Sequence, residues 1–381
     1  MDHGLLLVCN GRGAQASSIA RPVSLEEASI DEQFRMVKES GVFDYFDRLP
    51  LRASLDAYLA AMAKYDLPVH TGSWFYMLGR DDALLLDNLK SCSEVGTACH
   101  NIMTFTRHAD GHVLTDDEIV AHYLETYDAG MKLRVEPSFE LRVNMWTEDF
   151  RRVAPVAQRI AAHGIPFNFT LDYSHAIFKM GNPVELGISG VREVVESGRM
   201  ILDPFDERSL CDQWLSLGIV RWTQLRAVAP NQPPNLLCRN DPGAPAGDTL
   251  AYGEFARGIQ YPCARPGAGQ WHSDWQAYLL EPSKEAIRKV LRHHVRTPGS
   301  RLKYLTTEMI NLPDYGLNAK YDLFEQNVEC ARFIRPAWEE VKAVHASGLA
   351  RGGSAAGPAL RYRARQRRQC VISANHPNAA R

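Results

Sequence analysis

FNFTLDYSH, residues 167–175, is an apolar and partly β-branched run that stops on Asp172 and sets His175 three residues beyond it. Such a run predicts a short buried strand ending in a carboxylate. Just upstream, 149–162 carries Val153, Val156 and Ile160 on one helical face, and Thr147 before Glu148 and Asp149 reads as a helix start. The same alternation continues in both directions. Apolar runs occur at 5–9, 42–47, 67–71, 98–105, 134–141, 219–225 and 304–310. Between them, 31–40 places Phe34 and Val37 on one face, and 54–65 does so with Leu55, Leu59 and Met62. Ser24 with Glu27 reads as a further helix start. Strands alternating with helices imply a parallel sheet covered by helices, and eight candidates favour closure into an α/β (β/α)8 TIM barrel.

Two segments interrupt the rhythm. Residues 226–274, after the seventh strand, are long and rich in Pro and Gly, as expected of a functional loop on the catalytic face. Residues 346–381 are Gly-, Ala- and Arg-rich and include RYRARQRR at 361–368. The expected organisation is a barrel over 1–345 followed by a disordered basic tail over 346–381.

The 381 residues suit one barrel with insertions. A net charge of -2 gives no footprint for nucleic acid, and no apolar run is long enough to cross a membrane. MDHGLLLVCNGRG at the start reads as a first strand rather than a signal peptide. Eight dispersed cysteines without a CxxC pair read as reduced thiols, which predicts a cytoplasmic protein. Asn168 opens the sequon NFT inside an apolar strand and is read as structural.

Chemistry-bearing residues recur at the C-terminal ends of the late strands: Glu140, Asp172, Gln224 and Glu308. In a parallel barrel these ends converge on one mouth. Carboxylates gathered there would repel one another and resist burial unless a cation joined them. An oxygen-rich set suits Mn²⁺ or Mg²⁺, with Co²⁺ or Zn²⁺ also admitted. Trp74, Phe75, Trp146, Trp271 and Trp275 gather near the expected mouth, where rings could stack on a sugar or simply fill loop packing. His100 and His108 are also within reach of it and carry no assigned role.

The ordered set resembles the xylose-isomerase-like barrels of the sugar isomerase and epimerase kind. FELRVNMWTEDF (139–150) resembles their strand-five glutamate, NFTLDYSH their metal-binding aspartate and nearby histidine, and TTEMINLPDYG (306–316) their last glutamate. The resemblance implies a metal-dependent isomerase or epimerase acting on a keto-sugar or polyol by proton abstraction beside a carbonyl. Glu140 and Glu308 would be the acid/base pair, with Glu140, Asp172, Gln224 and Glu308 on the metal. His175 would bind a substrate hydroxyl or complete the metal shell, counting with the catalytic set. Arg226, Trp146 and Trp271 would hold substrate, and His272, in GQWHSDW, would be a replacement ligand or a further acid/base. One departure is visible: RWTQLRAVAPN (221–231) puts Gln224 where the family carries a histidine. A lyase on 3-keto glycosides, like the catalytic subunit of C-glycoside deglycosidases, is the alternative. An endonuclease IV-like hydrolase and a metal-free binding protein are remoter ones. The expected partner is a small carbohydrate, with a homo-oligomer or a small partner subunit allowed.

Overall fold

The structure, a computed structural model, describes residues 4–230, 260–271, 273–312 and 316–348. Eight strands form the wall: β1 Leu6–Asn10, β2 Tyr45–Asp47, β3 Val69–Tyr76, β4 Cys99–Thr104, β5 Glu136–Glu140, β6 Phe169–Asp172, β7 Val220–Leu225 and β8 Tyr304–Thr307. Each pairs in parallel with the next, and β8 returns to β1 through Leu6↔Tyr304 and Val8↔Thr306, so the sheet is a closed barrel. Helices cover the outer face and side chains fill the floor, so each strand carries buried apolar residues among the polar ones that turn toward the mouth, such as Ser138, Thr170 and Gln224.

Around the wall lie α1 Ile30–Ser40, α2 Leu55–Tyr65, α3 Asp82–Glu94, α4 Asp116–Lys132 and α5 Phe150–Ala162. Four short helices follow β6: α6 Ser174–Ile177, α7 Pro183–Ile188, α8 Arg192–Glu196 and α9 Leu210–Ser216. The long α10 Glu281–Arg296 and α11 Leu323–Gly348 flank β8. In α5 the expected Val153, Val156 and Ile160 are all fully buried. Its cap is Asp149, which accepts from the Arg151 backbone N–H, while Thr147 sits in a preceding 3-10 turn and donates to the Glu140 carbonyl at 2.6 Å.

Three expectations are corrected. Ser24 and Glu27 do not start a helix. The α1 cap is Ser29, and Glu27 pairs instead with Arg12 and Arg48 at 3.1 and 2.6 Å. In α2 the buried face is Tyr58 and Ala61, with Leu59 left 42% exposed. The Tyr58 ring packs edge-on against Phe34 of α1 at 5.9 Å, which turns Leu59 outward. At the C-terminus α11 continues to Gly348, past the expected boundary at 345, and the basic segment beyond it lies outside the described residues.

Inside the barrel, Val8, Tyr45, Cys99, Trp222 and Tyr304 pack together as a floor. The described cysteines are free. Asn168 is buried and donates its amide to the Pro137 carbonyl at 2.9 Å, so its sequon is part of the wall. Among the described residues no helix is long and apolar enough to cross a membrane.

Candidate active site

Side chains alternate along a strand, so the residue that faces the floor fixes which later residues face the mouth. Trp222 and Tyr304 belong to the floor. Two residues further on, Gln224 and Thr306 face inward, and after two more Arg226 and Glu308 do the same. On β5 and β6 the same phase carries Ser138 and Thr170, whose hydroxyls bond at 2.7 Å, and then Glu140 and Asp172. Asp172 and Gln224 are register partners, as are Gln224 and Thr306, so these residues lie at one level.

Every member of this set is buried. Asn101 of β4 donates its amide to Glu140 Oε2, and Glu140 Oε1 has no hydrogen-bond partner among the described residues. Both amide atoms of Gln224 are likewise buried and unbonded. Asp172 Oδ1 accepts from the Ser174 backbone at 3.1 Å, and its Oδ2 lies 3.3 Å from His175 Nε2. Arg226 contacts the same Oδ2 through Nη2 at 3.0 Å and Nε at 3.2 Å. Its Nη2 also lies 3.1 Å from Glu308 Oε2.

The acids divide by their neighbours. Burial raises the Glu140 carboxyl above its ordinary value, and Asp172 raises it further, against opposing pulls from Arg142 and Arg226. Burial would also raise Asp172, but the Arg226 guanidinium and His175 reverse this and hold it well below the usual carboxylate range. Glu308, which meets the guanidinium through one contact where Asp172 has two, is pushed well up by burial and by the other acids. Burial lowers His175 to about 4, so its imidazole is neutral. The late strand ends therefore bring together a carboxylate fixed as an anion, Asp172, two carboxyl groups raised above their ordinary values, Glu140 and Glu308, and the guanidinium of Arg226.

A divalent ion can be tested against these donors. Glu140, Asp172 and His175 bring one ligand atom each within 4.8 Å of one another. A neutral imidazole, an anionic carboxylate and an unbonded Oε1 are appropriate donors, and catalytic metal sites keep three protein ligands with an open position. This trio fits. Glu308, expected as a further ligand, lies outside it and against Arg226.

Several expected residues sit elsewhere. Trp146 is buried in the helix-layer core against Phe139, at 5.9 Å between rings, rather than in the mouth, because its 3-10 turn folds back under α5. Trp271 packs between Tyr261 and Tyr321 at 5.6 and 6.0 Å, beside the α11 layer. Trp275 donates its indole N–H to the Pro262 carbonyl at 2.8 Å. His100 points out of the barrel, bonded to Tyr76 at 2.6 Å and to the Gly72 carbonyl at 3.0 Å. His108 lies in a surface turn beside Asp110 and His112. His272 lies outside the described residues. Trp74 and Phe75 do line the mouth cavity, together with Ser73, Met103 and Glu308. Asn10, Asp47, Asn101 and Arg142 also reach the mouth and were not singled out from the sequence. The strand-end rule applied to β1 and β2 would have found Asn10 and Asp47, whereas Asn101 lies in the middle of β4.

No family model matches the sequence, and no curated protein matches it. Solved structures do match the fold. A D-allulose 3-epimerase from Methylomonas sp. is 11% identical, with 87% of this chain and 98% of that chain covered and a TM-score of 0.50. An L-ribulose 3-epimerase is 10% identical, with 92% and 100% covered and a TM-score of 0.50. The matching structures are xylose-isomerase-like TIM barrels, sugar epimerases among them, and this chain has their fold.

Proposed function

We propose that this chain is a carbohydrate isomerase or epimerase that moves a proton at the carbon beside a carbonyl. The observation that carries this reading is Glu140. It is a buried carboxyl at a strand end, fixed on one oxygen by Asn101, open on the other, and raised towards neutrality by burial. A base of that kind, near its working pH, is what removal of a weakly acidic C–H requires. The fold is shared with two sugar epimerases, which supports the substrate class by analogy of fold alone.

Each side chain then has a task. Glu140 accepts the proton while the Asn101 amide keeps its carboxylate from turning. Glu308, whose carboxyl is pushed up by burial, is the group across the mouth that returns a proton. Arg226 and the Gln224 amide offer donors to the oxygen on which negative charge develops. Trp74 and Phe75 provide an apolar wall for the C–H face of a sugar. A divalent ion held by Glu140, Asp172 and His175 would act as a Lewis acid on the substrate carbonyl.

The test is turnover of a ketose panel in deuterated water, with NMR readout of the carbon next to the carbonyl. Deuterium should enter that carbon with the parent protein and not with Glu140→Gln. Product without deuterium would replace proton abstraction by hydride transfer or hydrolysis.

A further inference from the structure

A single nitrogen, Nη2 of Arg226, stands 3.0 Å from Asp172 Oδ2 and 3.1 Å from Glu308 Oε2. The arginine side chain is fully buried, as is that of Asp172. A divalent ion shared by these two carboxylates would need both oxygens within ~2.0–2.6 Å, and the space between them is filled by Nη2. Guanidinium keeps its charge under all ordinary conditions and is less strongly hydrated than an ammonium, which suits it to a buried position between two acids. Arg226 reaches this position because it follows β7 in the inward phase set by Trp222 and Gln224.

We infer that Arg226 is a built-in cation that bridges Asp172 and Glu308 where a metal ion would otherwise join them. It removes Glu308 from any metal shell and confines a divalent ion in the barrel to Glu140, Asp172 and His175. Even there the ion competes with the guanidinium for Asp172, because Arg226 and His175 meet the same Oδ2. A barrel so arranged neutralises its buried acids without metal, binds divalent ions weakly, and holds Glu308 in place through Arg226. This arrangement concerns the chain alone and stands apart from the reaction proposed above.

Mn²⁺ titration of the full-length, chelator-treated protein tests it, by calorimetry and by melting temperature, with no substrate present. Glu308→Gln should change Mn²⁺ affinity less than threefold, since Glu308 is not a ligand. Arg226→Gln should bind Mn²⁺ at least tenfold more tightly than the parent, and Mn²⁺ should raise its melting temperature more than it raises the parent's. If Arg226→Gln does not fold, the charge-balanced pair Arg226→Gln/Glu308→Gln is measured instead and should show the same tenfold gain. A loss of threefold or more in Glu308→Gln would make Glu308 a ligand and overturn the inference. So would a folded Arg226 variant that binds Mn²⁺ no better than the parent. Because no turnover is read, failure of the isomerase reading leaves this result standing.

Discussion

Strands β5 to β8 bring Glu140, Asp172, Gln224, Arg226 and Glu308 to the mouth, whereas β1 to β4 bring Asn10, Asp47, Ser73, Asn101 and Met103. The late half concentrates the acids and the buried guanidinium that meets them. The early half supplies amides, a hydroxyl and, through Trp74 and Phe75, an aromatic wall. The contrast teaches that bond-making and shape can be assigned to opposite walls of one barrel. Asn101 is the link, since it is an early-half amide spent on orienting the late-half base. The early half also carries charge: Asp47 lines the cavity together with Arg12 and Arg48. Asp47 Oδ1 accepts from Thr71 at 2.8 Å, its Oδ2 is unbonded, and burial raises the carboxyl to about 7.

The contrast breaks most directly at Glu140. If the late half performs the proton transfer, Glu140→Gln should lower kcat by ~10²–10⁴-fold, with solvent-deuterium incorporation lost in step. A variant that keeps more than a tenth of the parent kcat would move the base elsewhere. Next is the late-half cation. Arg226→Met, without added metal, leaves Asp172 and Glu308 facing each other and should cost about 3–5 kcal/mol of folding stability, measured by urea unfolding. A cost below 1 kcal/mol would show that the acids do not depend on the guanidinium.

The early-half acid gives a pH test. The folded-state value of Asp47 is raised from 3.8 to about 7. Its stabilising contribution is therefore full below the unfolded value, and is lost progressively as the pH climbs from about 4 to 7. The full difference is on the order of 4 kcal/mol. Asp47→Asn keeps an acceptor for Thr71 and should be more thermostable than the parent at pH 8, with a distinctly smaller gain at pH 5. An equal change at both pH values would show that Asp47 does not titrate near neutrality. The smallest effect is expected from Trp74→Ala. Loss of a ring worth ~0.5–1.5 kcal/mol should raise KM several-fold and leave kcat within about twofold. A fall in kcat with constant KM would place chemistry in the early half.

The eight strands were legible because each carries buried apolar or β-branched residues within or beside it, even where polar residues such as Ser138 or Gln224 turn toward the mouth. The late-half acids were legible because each ends such a stretch. Asp47 was harder, since VFDYFD contains two aspartates and only the strand's phase says which faces in. Asp44 in fact points out, accepting from the Leu7 backbone at 2.7 Å and pairing with Arg335. Trp146 was misplaced because a turn, not the sequence of the preceding strand, sets its direction. The bridging position of Arg226 depends on backbone beyond the end of β7, where alternation is no longer guaranteed by sheet pairing. Sequence alone identified a cation near the mouth and could not say that it lies between the acids.

The pairing of β8 with β1 joins Val8 to Thr306 across nearly the whole described chain. During synthesis, β1 emerges early and keeps an unpaired edge until the last strand has left the ribosome. Open strand edges of this kind are where nascent chains associate wrongly. The closing strand also delivers Glu308 to Arg226. Closure of the wall and completion of the buried charge set are thus one late event, and a chain stalled before residue 304 lacks both.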